Sequence, residues 1–148
     1  AVVEALVAEL NRDPPDLIVA SGDFTMRARR KEYVAARAFL DRLAPQGVLA
    51  FMSSILGSVG LNESGGWENY RASKAALNTL VRSFEIRHRD AGFGVLLLHP
   101  GWVRTEMGGA DADLDVATSV SGMADVITAQ LGRTGTAYLD YTGKTLDW

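Results

Sequence analysis

The stretch Val48-Leu49-Ala50-Phe51-Met52-Ser53-Ser54 decides the fold, because a run of apolar residues ends there in two serines. A short apolar run without a polar break is typical of a strand buried on both faces of a parallel sheet. Two other runs share this character, at residues 17–20 and 93–98, and turn motifs follow them, Ser21-Gly22 and Pro100-Gly101. A last short strand is expected at residues 136–139.

Segments with apolar residues at helical spacing separate these runs, at residues 2–10, 32–43, 68–89 and 115–131. Strands that alternate with helices predict the α/β class, with a Rossmann-like doubly wound parallel sheet. Ligands bind beyond the carboxyl ends of the strands in such sheets, so we expect the motifs after the strands to form one site. The residues expected on the packed faces of helix 68–89 are Ala72, Ala75, Ala76, Leu80 and Phe84.

Composition excludes several classes of function. The 148 residues suffice for one domain with a packed core, and 47% of them are hydrophobic. The net charge of −3 gives no basic field for nucleic acid or an anionic membrane, so we expect neither partner. The absence of cysteine excludes disulfides, thiolate catalysis and cysteine-ligated zinc, and it fits a cytoplasmic protein. His88 and His99 have no further ligands at metal spacing, so no metal site is expected, and His99 is expected to hydrogen-bond locally.

The segment Tyr70-Arg71-Ala72-Ser73-Lys74 places a phenol one helical turn before an ammonium group, on the same helix face. The positive charge favours the phenolate form, so such a tyrosine can pass a proton to or from a carbonyl oxygen. A hydroxyl from Ser54, at a strand end, can hold the same oxygen. Each motif by itself has a plain structural reading, because this spacing is common on helices and serines often cap turns.

The order of these features resembles the short-chain dehydrogenase/reductase family: a strand, Ser54, a glycine-bearing loop, a helix with Tyr70 and Lys74, a strand and a Pro-Gly turn. The resemblance is greatest to the carbonyl-reductase-like members grouped with C-factor and Sniffer. It covers residues 36–148 strongly and residues 1–22 weakly. The segments that carry it are residues 53–58, 70–78, 99–109 and 141–148.

The resemblance implies a role for each matching residue. Tyr70 would be the catalytic acid/base, Lys74 would support it and hold the nicotinamide ribose, and Ser54 would orient the substrate carbonyl. The cofactor would be NADP or NAD. The residues implied in binding it are Tyr70, Lys74, Gly22, Pro100, Gly101, Val103 and Thr105.

Within that set, the backbone of Val103, after the Pro100-Gly101 turn, would meet the nicotinamide carboxamide. Thr105 would contact either the carboxamide or the cofactor phosphates, and Gly22 would line the adenosine side. The implied activity is hydride transfer between the nicotinamide and a small carbonyl or alcohol substrate. The alternative is a non-catalytic signalling or interaction protein on the same scaffold. Helix 68–89 and the helix before it would form a homodimer interface, with a homotetramer as the other possibility.

Parts of the family pattern are not found in these residues. The glycine-rich phosphate loop and the ribose-selecting residue have no counterpart, and the first residues resemble the third helix of the fold. No asparagine stands near Ala28, where the family has one that supports the lysine. We therefore expect residues 1–148 to form a single domain that is the C-terminal catalytic part of a dinucleotide-binding fold, within a longer protein. An intact mass near 15.9 kDa would contradict this expectation.

Overall fold

A computed structural model describes the backbone of residues 17–20 and all of residues 46–148. The strands of this part form one parallel sheet in the order β1-β2-β3-β4. Their bounds are β1 Leu17–Ala20, β2 Val48–Met52, β3 Gly94–His99 and β4 Gly135–Asp140. The helices between them are α1 Glu68–Arg87 and α2 Val116–Gln130, with short 3₁₀ helices at Ile55–Gly57 and Arg89–Ala91.

Apolar side chains cover both faces of the sheet, as the unbroken apolar runs predict. Alternate residues of β3 point to opposite faces, so Leu96 and Leu98 pack on the side of α2 while Val95 and Leu97 pack on the side of α1. The first cluster consists of Val48, Ala50, Leu96, Leu98, Val126, Ile127 and Leu139. The second consists of Val81, Val95, Leu97, Tyr138 and Leu146. The predicted parallel sheet between helical layers is confirmed in the described part.

The face of α1 that packs inward differs from the predicted one. The buried residues of α1 are Asn78, Val81 and Glu85. The prediction that Ala72, Ala76 and Leu80 lie on the packed faces is wrong in this structure: all three are exposed, and Leu80 is 67% exposed. Polar side chains occupy much of the inward stripe, so the apolar residues mark a neighbouring face instead.

The buried carboxylate of Glu85 is tolerated because other side chains neutralise and bind it. Arg82 and Arg89 lie 3.4 Å and 3.5 Å from its oxygens. Thr136, on β4, donates a hydrogen bond to it at 3.3 Å. This contact joins α1 to the edge strand at the end remote from Ser54.

Most predicted elements agree with the structure to within a few residues. Helix α1 ends at Arg87 rather than residue 89, and β4 is one residue longer at each end than residues 136–139. The helices predicted at residues 2–10 and 32–43 lie outside the described residues, as does Gly22. None of the helices described is both long and apolar enough to cross a bilayer.

Candidate active site

Two neighbouring strands bring the predicted motifs to one edge of the sheet. The amide of Ser53 donates to the carbonyl of Leu98 at 2.8 Å, just beyond the paired residues Met52 and Leu98. Because the strands are parallel, Ser54 and Pro100 emerge side by side. The sequence-based expectation of a shared edge is confirmed for these two motifs.

Ser54 is buried, with 6% of its surface exposed, and it begins the 3₁₀ helix Ile55–Gly57. Its Oγ accepts a hydrogen bond from the amide of Leu56 at 3.2 Å. The hydroxyl hydrogen of Ser54 is therefore free of this capping bond and points elsewhere. Only a group inserted beside the hydroxyl can contact it, because so little of the residue is open.

Lys74 lies one turn after Tyr70 on α1, and its ammonium reaches the end of β2. Its Nζ donates to the carbonyl of Met52 at 3.1 Å and lies 5.7 Å from the centre of the Tyr70 ring. Burial lowers the pKa of Lys74 below its usual value. The predicted pair thus shares one helix face, and the lysine also contacts the strand that carries Ser54.

Gly57 explains how closely these elements approach. A Cβ at this position would lie 2.9 Å from the backbone carbon and the Cβ of Lys74, and 3.0 Å from Nδ2 of Asn78. Only glycine leaves room for residues 53–57, here termed the serine segment, to lie directly on α1. The serine hydroxyl and the helix face with Tyr70 are held together by this contact.

The Pro100-Gly101 turn is fixed by α2 and by the chain beyond it. Gly101 has φ +84°, and a Cβ there would lie 2.3 Å from Cδ1 of Leu114, so glycine is required twice over. The Oγ of Ser119, on α2, donates to the carbonyl of Pro100 at 2.7 Å. Val103 lies opposite Leu114 in a parallel bridge. The amide of Arg104 donates to the carbonyl of Leu114, and the amide of Leu114 donates to the carbonyl of Trp102. The amide and carbonyl of Val103 itself consequently point away from Leu114.

Thr105 closes the loop that follows. Its hydroxyl donates to the carbonyl of Val103 at 3.4 Å and accepts from the amide of Gly108 at 3.2 Å. The indole Nε1 of Trp102 donates to the carbonyl of Gly108 at 2.9 Å, while 52% of the residue stays exposed. These bonds give the loop a defined shape next to the candidate site.

Comparison with known proteins decides the family. The family model described as short chain dehydrogenase matches residues 33–114, which is 82 of the 148 residues. The chain belongs to the short-chain dehydrogenase family. Strands β2 and β3, Ser54, the Tyr70–Lys74 pair and the Pro100-Gly101 turn all lie within the matched range.

Individual members of the short-chain dehydrogenase family are similar to this chain over long stretches of sequence. C-signal of Myxococcus xanthus is 45% identical over 106 residues, which span 70% of this chain and 64% of C-signal. A short-chain dehydrogenase/reductase assigned in Burkholderia multivorans, solved with bound NADP, is 37% identical with a TM-score of 0.84. A carbonyl reductase of Pseudomonas aeruginosa PAO1, in complex with NADP, is 34% identical with a TM-score of 0.81. Each structural match covers 99% of this chain and 72% of the other.

These matches establish the Rossmann-like fold of the short-chain dehydrogenases for this chain. They also set a limit, because the chain spans less than two thirds of the length of C-signal and of the other curated relatives it matches.

Two polar residues of the site, Asn78 and Tyr138, are not singled out by the sequence. Asn78 is 3% exposed, and its Oδ1 accepts from the Oγ of Ser53 at 2.6 Å. The hydroxyl of Tyr138, on β4, donates to the carbonyl of Ser54. The position of Asn78, four residues after Lys74, was a usable signal. Tyr138 carries no such signal, because it lies 84 residues from Ser54 along the chain.

The local hydrogen bond expected for His99 is not found at Nδ1, which is buried and has no partner among the described residues. Burial lowers the pKa of His99, and the nearby carboxylate of Asp140 offsets part of that shift. Nδ1 lacks a partner because His99 is the last residue of β3, where the nearby backbone groups are already paired with the neighbouring strands. No group of three or more potential metal ligands occurs in the described residues.

Proposed function

We propose that this protein transfers a hydride between a nicotinamide cofactor and a carbonyl or alcohol substrate, with Tyr70 as the acid/base. One observation carries the proposal: the ammonium of Lys74 binds the carbonyl of Met52, two residues before Ser54, and lies 5.7 Å from the centre of the Tyr70 ring. A hydroxyl donor, a phenol and a cation at one edge suit a reaction in which a carbonyl oxygen takes up a proton.

In the reducing direction, the substrate oxygen would lie against the hydroxyls of Ser54 and Tyr70. Ser54 would donate a hydrogen bond to that oxygen, using the hydrogen left free by its capping bond. Tyr70 would give its proton to the same oxygen, and the resulting phenolate would be stabilised by the ammonium of Lys74. The oxidising direction would reverse each transfer.

The residues on the nicotinamide side fit a dinucleotide. An ammonium has three donors, and Met52 takes one from Lys74, which leaves the others for ribose hydroxyls. The amide of Val103 points away from Leu114 and would donate to the carboxamide oxygen. Pro100, Gly101 and Thr105 would hold this backbone in place, and the resemblance puts Gly22 near the adenosine. Reduced nicotinamide supplies the hydride when it is bound. NADP is the favoured form, since two similar structures contain it.

Replacement of the phenol tests the proposal. In the full-length protein, we expect Tyr70→Phe to lower kcat by about 10²- to 10⁴-fold for NADPH-dependent reduction of small ketones and aldehydes, with the circular dichroism spectrum unchanged. Thr79→Ala is the matched control, because within the described residues the Thr79 hydroxyl bonds to its own helix, at the carbonyl of Ala75. Full activity of the Tyr70 variant would refute the assigned role.

We also propose a homodimer formed through the outer face of α1. This face carries small residues that permit close approach, Ala72 and Ala76, together with the exposed Leu80 and Ile86. Sedimentation velocity on the full-length protein and on Leu80→Glu tests it. A dimer that persists unchanged in the variant would place the interface elsewhere.

A signalling or interaction role is the second candidate, favoured by the 45% identity to C-signal. The two candidates differ in what they need from the site. A protein that acts only by binding a partner does not depend on the Tyr70 hydroxyl, so Tyr70→Phe would retain its biological effect. Loss of that effect together with turnover would support the enzyme.

A further inference from the structure

We propose that Asn78 is a positioning residue that fixes Ser54 relative to Tyr70 and Lys74. The inference rests on the proposed function, because it concerns the same site. Tyr70, Lys74 and Asn78 stand at successive intervals of four residues on α1 and so form one stripe on the helix. Asn78 is the most deeply buried member of that stripe and does not reach the edge where a substrate enters.

The amide of Asn78 binds both ends of the serine segment. Its Oδ1 accepts from Ser53, and its Nδ2 donates to the carbonyl of Gly57 at 3.4 Å. Ser54 lies between these two anchor points. A single side chain thus sets the height and orientation of the segment above the helix face that carries the phenol and the ammonium.

A second hydrogen bond holds Ser54 from the opposite side. The hydroxyl of Tyr138 donates to the Ser54 carbonyl, which also accepts from the amide of Gly57 at 2.8 Å. Burial raises the pKa of Tyr138, so the hydroxyl stays protonated and remains a donor. With its backbone held from β4 and its segment held from α1, the Ser54 side chain has little freedom to drift.

A purely structural role would have a different signature. Buried polar groups that bind each other stabilise any fold, and their loss would lower the free energy of unfolding without reference to chemistry. A positioning role requires that the kinetic effect pass through the Ser54 hydroxyl. Misplacement of a reacting group by about 1 Å can cost roughly 10²-fold in rate.

The test is a double-mutant cycle on kcat in the full-length protein, with Ser53→Ala and Ser54→Ala. Ser53→Ala removes one bond to Asn78 and no bulk, so the fold is retained. We expect it to lower kcat by roughly 5- to 100-fold with little change in the KM for NADPH. In the Ser54→Ala background we expect no further loss. An equal loss in both backgrounds overturns the proposal.

The matched control is Thr136→Val. It removes a hydrogen bond that joins α1 to β4 at Glu85, away from the site. We expect this variant to lower the free energy of unfolding without lowering kcat at a temperature where it is folded. A kcat loss as large as that of Ser53→Ala would show that any loosening of these elements has the same effect, and would overturn the proposal.

Amide hydrogen exchange separates this proposal from the proposed function, because it needs no turnover. The amides of Leu56 and Gly57 bond to Ser54, whereas the amide of Gly94 bonds to Gly47 across the sheet. In Ser53→Ala we expect faster exchange at Leu56 and Gly57 only. If the wild type is inactive but Ser53→Ala speeds exchange at Leu56 and Gly57, the proposed enzymatic function is refuted and the positioning role of Asn78 is retained. If exchange at these amides is unchanged, the positioning role is refuted even when the enzyme is active.

Discussion

At the scale of single residues, the charge of Lys74 is disfavoured by burial but is needed for its contacts in the site. Burial of its ammonium disfavours the charged form and lowers the pKa, yet the charged form is the one that binds Met52 and stabilises a phenolate. Because the pKa is lowered, the charge is lost at a pH below the ordinary value of 10.5. Stability rises with pH over that interval, since the folded protein releases the proton before the unfolded chain does.

Substitution of this lysine is predicted to affect binding and chemistry together. In the full-length protein, Lys74→Met keeps the apolar stem and removes the charge, so we expect a lower kcat and a higher KM for NADPH. The kcat of the wild type should also fall on the alkaline side before pH 10.5 is reached. Lys144→Met is the control, because Lys144 is exposed on the turn after β4. A change in KM alone would contradict the role in proton transfer.

His99 is predicted to make the fold sensitive to acid. Its pKa is lowered mainly by burial, with partial compensation from Asp140. Above the ordinary value of 6.5 the histidine contributes nothing to the pH dependence. Below it the unfolded chain binds a proton first, so stability falls as the pH drops until the folded state is also protonated.

The measurement is the free energy of unfolding in urea, for the wild type and for His99→Phe, at a pH above 7 and at about pH 5. Asp140 is present in both proteins, so its own titration largely cancels in the comparison. We expect a smaller loss of stability on acidification in the variant. An identical loss in both proteins would mean that His99 does not contribute.

At the scale of elements, local signals in the sequence were sufficient for the strands. Residues 17–20 and 48–52 are continuous apolar runs that end in turn residues, and the structure has strands with these bounds. The inward face of α1 was not predictable in the same way. Its buried positions include Asn78 and Glu85, whose partners on other elements become neighbours only in the folded chain.

In the candidate site, too, residues in local motifs were predictable from the sequence, whereas residues that depend on distant partners were not. Ser54, Tyr70 and Lys74 were predicted because each stands in a short motif at a strand end or on a helix face. The support from Tyr138 was not, since it depends on the register that places β4 next to β3. Hydrogen bonds between distant strands have no local spacing by which a sequence could reveal them.

The contact between the 3₁₀ helix Ile55–Gly57 and α1 yields an element-scale prediction. Gly57→Ala would place a methyl group 2.9 Å from the backbone of Lys74, which must push the two elements apart. We expect a loss of about 1–3 kcal/mol in the free energy of unfolding, together with a drop in kcat. Chemical denaturation and steady-state kinetics measure the two effects.

Gly92→Ala is the control that separates the effect of backbone strain from the displacement of α1 by a methyl group at position 57. Gly92 has φ +79°, so alanine is strained there, but its Cβ would meet no atom within 4 Å. It lies before β3, at the end of the sheet remote from the motifs. We expect lower stability with unchanged kcat. If both glycine variants lose kcat in proportion to stability, the contact at Gly57 has no specific role.

At the scale of the whole molecule, Trp102 and Trp148 contact different parts of the candidate site. Trp102 follows Gly101 directly in the loop that would face the nicotinamide, and it is 52% exposed. Trp148 instead packs on Tyr138, with ring centres 5.6 Å apart, and the Tyr138 hydroxyl bonds to the carbonyl of Ser54. A dinucleotide bound against the Pro100-Gly101 loop should therefore affect Trp102 more than Trp148.

Fluorescence can report cofactor binding on this basis, independently of any substrate. In the full-length protein we expect NADPH to quench tryptophan emission, and we expect Trp102→Phe to abolish most of that quenching while Trp148→Phe retains it. Trp67→Phe gives the intermediate case, since Trp67 precedes Tyr70 at the start of α1 and is 74% exposed. Quenching that depends on Trp148 alone would put the dinucleotide away from the Pro100-Gly101 loop. The absence of any quenching by NADPH or NADH, with no binding by calorimetry, would instead favour the signalling role over the enzyme.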